Sequence, residues 1–237
     1  MSNAKSVSSN TAWQIASKII NGLSGLIIIS LIARNFDQTI VGYYTLILSY
    51  IGFYFIPVDF GLNAIAVKHL LDNNHNQAKV FKNLLGVRLF IGTIATIFAS
   101  VIAYLLPYNT LSNTGYSDTV KIGILAISFT ILAQAILATT NAYFQAHQNY
   151  KLSFLANAFS ALSNTLIVVF LINQNQPFLT ILGSFTISGF LGALVALLLV
   201  YKNLKSIAPL FEKNYWKELI TQTLPLTTSL IINLIYF

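Results

Sequence analysis

Apolar residues fall in seven long runs, at about 9–34, 39–71, 81–106, 120–146, 152–172, 178–201 and 218–237, separated by short polar segments. A helix that crosses a bilayer needs about 20 residues, and the first six runs all reach that length. The pattern predicts an all-α fold, a polytopic transmembrane helix bundle with six complete spans plus the start of a seventh. It divides the chain into an N-terminal six-helix lobe (1–201), a cytoplasmic linker (202–217) and the beginning of a second lobe (218–237) that the sequence leaves truncated. The seventh run ends without an interfacial anchor, so the reading frame is expected to continue into further spans. The second run is too long for one straight crossing and holds Pro57, Asp59 and Gly61 in the string IPVDFGLN. Proline removes a backbone donor and clashes with the preceding turn, so a kink or break is expected there. At membrane depth such breaks survive only where they are buried in protein or line a cavity.

Several spans are polar along one side. At 100° per residue, Asn10, Gln14, Lys18, Asn21 and Gly25 share a face of the first helix about 80° wide. Thr130, Gln134, Asn141 and Gln145 do the same on span four, and Ser153, Asn157, Ser160 and Asn164 on span five. These stripes fit either a hydrated path for sugar hydroxyls or hydrogen bonds between helices. In span six, Gly183, Ser184, Ser188, Gly189 and Gly192 are small enough for close helix approach.

Composition agrees with a membrane protein: 56% of residues are hydrophobic and only 8% charged, against about 25% charged in soluble domains. There are no cysteines, which excludes disulfides and thiolate chemistry. The net charge of +7 reflects the basic inner loops of membrane proteins and not a nucleic-acid partner. With the N-terminus in the cytoplasm, Lys5, Lys68, Lys79, Lys82, Arg88, Lys151, Lys202, Lys205, Lys213 and Lys217 are inner, and only Arg34 and Lys121 are outer. That bias orients a multi-pass protein of the cell membrane. Tyr43, Tyr44, Tyr104 and Tyr108 then mark the outer interface, and Tyr150, Tyr201, Tyr215 and Trp216 the inner one.

An intramembrane charge costs on the order of 2.5–3.5 kcal/mol on insertion scales, so it seldom faces lipid. Lys18, Asp59 and Arg88 should all lie in the cytoplasmic half, with two cations sharing one carboxylate and forming a net-positive cavity for a phosphate. The alternative is that Lys18 and Arg88 snorkel to the headgroups while Asp59 caps the helix after the break. His69, His75 and His147 lack metal-site spacing and read as solvated surface. The triplet Asp59–Phe60–Gly61 has no nucleotide-binding context. No Gly-rich phosphate loop and no Ser/His/Asp arrangement is present, and no cofactor is expected.

The strings SNTAWQIASKIINGLSGLIIISLIARNFDQTIVGYY, FIPVDFGLNAIAVKHL and NLLGVRL resemble the N-terminal half of polysaccharide biosynthesis flippases. These are the Wzx-like exporters of the multidrug/oligosaccharidyl-lipid/polysaccharide superfamily. The resemblance implies two six-helix lobes, alternating access, and transport of undecaprenyl-pyrophosphate-linked oligosaccharide from the inner to the outer leaflet. It assigns the anionic head group to Lys18, Arg34 and Arg88, while Gln14, Asn21 and Asp59 join the candidate substrate-binding set on position alone. The expected partners are that lipid-linked substrate, membrane lipids and other polysaccharide-assembly proteins. Competing readings are a multidrug or metabolite cation antiporter, which would favour acidic cavity residues, and a membrane-embedded glycan polymerase or glycosyltransferase. The latter needs a sizeable outer loop with catalytic groups, whereas the outer loops hold only Asp37, Asp118, Arg34 and Lys121.

Overall fold

A computed structural model describes the backbone of residues 2–59, 61–72, 76–109 and 114–236, and side chains within 8–225 of that set except Thr114. Phe60, His75 and Ser112 lie outside the described residues, as does the side chain of Lys5. The first helix, α1, runs Ser2–Asn35, followed by α2 (Gln38–Asp59), α3 (Leu62–Leu71) and α4 (Gln77–Leu105). A two-residue antiparallel ladder, β1 (Tyr108–Asn109) with β2 (Thr114–Gly115), interrupts the next connection. Then come α5 (Asp118–Ser128), α6 (Thr130–Ala146), α7 (Tyr150–Asn173), α8 (Phe178–Leu204) and α9 (Lys213–Tyr236). Among the described residues six helical segments are long and apolar enough to cross a membrane, with α2 and α3 sharing one and α5 and α6 another. The all-α polytopic bundle expected from the hydropathy pattern is the observed fold. Short connections make successive spans antiparallel. Lys68, Lys79, Lys82, Lys151 and Lys202 therefore gather at one basic end.

The second span breaks where its sequence predicts. Pro57 sits in the last turn of α2, and Gly61 adopts φ 72°, a left-handed conformation open to glycine, before α3 resumes. The fourth span differs from the single helix expected: it is interrupted at Phe129. Ser128 Oγ donates to the Leu125 carbonyl (2.9 Å) and Thr130 Oγ1 to that of Ile127 (2.6 Å). Hydroxyls that bond back to their own helix bend it. The seventh helix also begins earlier than its apolar run, at Lys213, because Tyr215 and Trp216 pack against the start of the bundle.

Helix α7 lies between α1 and α8, α6 between α4 and α8, and α2 against α4, α5 and α6. Lipid tails are as apolar as leucine, so close packing and interhelical hydrogen bonds hold such helices together. Helix α1 is the least buried span. Ser24, Ile28 and Ile32 form its buried face, whereas Ile15, Ile19, Leu23, Leu26 and Ile27 are exposed.

The segment after α8 is strapped to the basic end of α4. Leu210 N donates to the Lys82 carbonyl (2.9 Å), Glu212 N to Asn83 Oδ1 (3.1 Å), and Lys79 Nζ pairs with Glu212 at 2.9 Å. Gly86 lets the Leu210 carbonyl and the Trp216 ring approach the α4 backbone. Further on, His69 of α3 bonds Tyr215 Oη through Nδ1 (2.9 Å) and Gln222 Oε1 through Nε2 (3.0 Å). The Gln222 amide donates to Glu218 (3.1 Å), which leaves its oxygen for His69 Nε2–H. Burial, reinforced by Glu218 and Glu212, pushes the Tyr215 phenol above its ordinary range, so it stays protonated and can donate to Nδ1. The expectation of a solvated His69 is thus wrong: the ring is 4% exposed and fastens α3 to α9. His147 is exposed, as expected.

Candidate functional site

The polar stripes of spans one, four and five face one another. Near the basic end, Trp13, Gln14, Ser17 and Lys18 of α1, Asn141 and Gln145 of α6, and Tyr150, Ser153 and Phe154 of α7 line a groove of about 200 Å³. Deeper in the bundle, Asn21, Ser24 and Gly25 continue into a cavity of about 340 Å³. Its other walls include Gln134, Asn157, Ser160, Asn164 and Ser188, with Leu48, Ile51 and Phe55 of α2 opposite. Among the described residues no ionisable side chain lines this cavity, and Lys18 is the charged residue that lines the groove.

Hydrogen bonds between helices account for part of the stripes. Ser24 Oγ meets Thr165 Oγ1 at 2.7 Å and donates to the Ala161 carbonyl (3.1 Å). Ser184 donates to Asn164 (2.8 Å), Ser160 to the Ser188 carbonyl (3.0 Å) and Ser153 to Asn141 Oδ1 (2.7 Å). One set of groups thus ties the helices together, and Gln14, Lys18, Asn21 and Gln134 remain on the walls of the groove and cavity.

The six candidate residues do not converge on one point. Gln14 and Lys18 share the groove, and Asn21, which donates to its own Ser17 carbonyl at 2.8 Å, opens the cavity. Arg88 and Asp59 form a separate pair, Nη2 to Oδ1 at 2.8 Å. Lys18 does not share that carboxylate and has no ion-pair partner among the described residues. Neither alternative role of the pair holds. Arg88 has no exposed surface and does not snorkel. Asp59 does not cap α3, whose N-cap Gly61 makes no side-chain bond. Arg34 is distant, in a trough lined only by α1 residues at the opposite end.

Two contributors lie outside the candidate set, although both fall in the strings that carry the family resemblance. Asn63 of the DFGLN string donates to Gln145 Oε1 (2.9 Å), linking α3 to the groove wall. Trp13 packs on Phe154 at 5.1 Å with Lys151 Nζ 6.0 Å from its ring, which gives the groove an aromatic side flanked by a second cation. Only the i, i+4 spacing of Trp13 and Ser17 with the stripe could have pointed to it. No group of His, Asp and Glu residues that could hold a metal ion occurs among the described residues.

Fold and seam together define a polytopic helical membrane protein with a polar interior. Residues 7–237 match the family described as polysaccharide biosynthesis protein, and the chain belongs to it. Comparison with curated proteins and with solved structures returns no match.

Proposed function

We propose that the protein is a transporter, not an enzyme, and moves an undecaprenyl-pyrophosphate-linked oligosaccharide from the inner to the outer leaflet by alternating access. The N-terminus and the basic end face the cytoplasm of the cell in whose membrane it sits, as the distribution of lysines favours. The observation that carries this reading is Lys18. It lines a groove of neutral amides, hydroxyls and aromatic rings, with Lys151 flanking it, and the groove leads into an uncharged cavity of mixed polar and apolar walls. A cation set against a low-dielectric bundle attracts an oxyanion more strongly than one in bulk water. Amide donors from Gln14, Asn141 and Gln145 can share such a group's lone pairs. Membership of a polysaccharide family supports a glycan cargo, and a glycan on a lipid phosphate would offer the anion, the hydroxyls and the chain that stays in lipid. A cation antiporter would want free carboxylates, and Asp59 is committed to Arg88. Other polysaccharide-assembly proteins are the natural partners for delivery and uptake.

Complementation of a flippase-deficient strain tests the proposal. Lys18→Ala should abolish surface glycan with membrane level unchanged on an immunoblot, and Lys18→Arg should retain part of the activity. Full export by the alanine variant would remove Lys18, and with it the reading of the groove.

A further inference from the structure

At the end of the bundle opposite the basic one, α4 and α5 leave a groove between them of about 430 Å³. Its mouth carries Asp118 and Lys121 in the first turn of α5 and Tyr104 in the last turn of α4; Ser100, Ile122 and Leu125 lie one turn inward. Lys121 Nζ stands 5.7 Å from the centre of the Tyr104 ring. Asp118 and Lys121, although three residues apart on one helix, form no ion pair with each other. Neither has an ion-pair partner among the described residues, so both charges face the mouth. Ser100 is already used, donating to the Thr96 carbonyl at 2.9 Å. Inward from the mouth the walls become mainly apolar, with Ile122 51% and Leu125 53% exposed opposite Ser100.

The groove is thus graded along its length in the same sense as a lipid. We infer that it binds one phospholipid with a zwitterionic, amine-bearing headgroup. Lys121 takes the phosphate, Asp118 takes the ammonium, and an acyl chain lies along Ile122 and Leu125. Charge complementarity selects this occupant. An anionic glycerol headgroup would meet Lys121 but leave Asp118 facing a like charge, and a quaternary ammonium would offer Asp118 no N–H to accept. The Tyr104 ring closes one side and holds the lysine at interfacial depth, as aromatic residues do. The site is distinct from the polar seam and stands or falls independently of the transported cargo.

The test uses the purified chain, stripped of lipid in detergent. It is titrated separately with phosphatidylethanolamine and phosphatidylglycerol and read by native mass spectrometry for the first adduct. One interfacial charge contact corresponds to about a fivefold change in affinity. The expected result is a preference of about that size for phosphatidylethanolamine. Asp118→Asn should remove the preference, Asp118→Glu should keep it, and Lys121→Gln should weaken both lipids. Equal binding of the two lipids by the unsubstituted chain, or a preference that survives Asp118→Asn, would overturn the inference.

Discussion

Arg88, with no exposed surface, has one acceptor among the described residues: Asp59, 29 positions earlier, at 2.8 Å. Its Nε and Nη1 meet none. The carboxylate stands at the last residue of α2 with 59% of its side chain exposed, so the pair joins a closed interior to the open side of the helix break. Removing one member of a buried pair strands the other and is costly, whereas replacing both by apolar groups often is not.

Asp59→Asn should therefore lower stability by about 3 kcal/mol, while Asp59→Asn with Arg88→Met should recover at least half of that loss. Thermal unfolding in detergent, followed by the midpoint shift of each variant, checks the order. Equal damage in the single and double variants would mean that Asp59 does not compensate Arg88.

The strap on α4 depends on a missing side chain. A Cβ at position 86 would collide with the Leu210 carbonyl oxygen and crowd Trp216. Backbone carbonyl is not easily displaced, so Gly86→Ala should lift the strap and release the Leu210 N to Lys82 O bond. Hydrogen exchange at the amides of Leu210 and Glu212 should accelerate by more than tenfold, while α7 and α8 are unchanged. Unaltered protection at Leu210 would show that the strap tolerates the methyl group.

What the sequence revealed, and what it concealed, follows the range of the interactions. The break after Asp59 was legible because Pro57 and Gly61 act on their own backbone. The break at Phe129 was not, since Ser and Thr also sit in unbroken spans, and Thr96, whose Oγ1 reaches the Ser128 carbonyl at 3.4 Å, comes from another helix. The stripe bearing Lys18 was visible as helical periodicity. Its depth followed from counting residues, but its neighbours Asn141 and Phe154 come from spans four and five. His69 was misread because its partners lie 146 and 153 residues away. Tyr215 lies in the polar linker and Gln222 near the start of the seventh run, and only the fold brings both to His69.

Orientation rests on the distribution of lysine. Cysteines introduced at Gln174, in the exposed turn between α7 and α8, and at Ser206, beyond α8, sit at opposite ends of the bundle. The chain has no native cysteine to interfere. With the basic end in the cytoplasm, an impermeant thiol reagent added to intact cells labels position 174 and spares 206. The reverse pattern would invert the bundle.

Two glycines separate the seam as a passage from the seam as packing. Gly192 of α8 is pressed against α7: an added Cβ would lie 2.5 Å from Ser160 Cβ and 3.3 Å from the Ala156 carbonyl. Gly25 of α1 lines the cavity, and an added Cβ would meet nothing within 4 Å. Gly192→Val should thus force α7 and α8 apart, at about 1–3 kcal/mol, and lower the amount of protein in the membrane. Gly25→Phe should leave that amount near normal, because the ring enters open space. Were the cavity mere imperfect packing, filling it would be silent or stabilising. If cargo or its hydration must pass beside Asn21 and Asn157, the same ring blocks the way and glycan export falls at least tenfold. Export assayed beside an immunoblot of the membrane fraction decides between them: normal export by a well-expressed Gly25→Phe protein would leave the cavity with no part in transport.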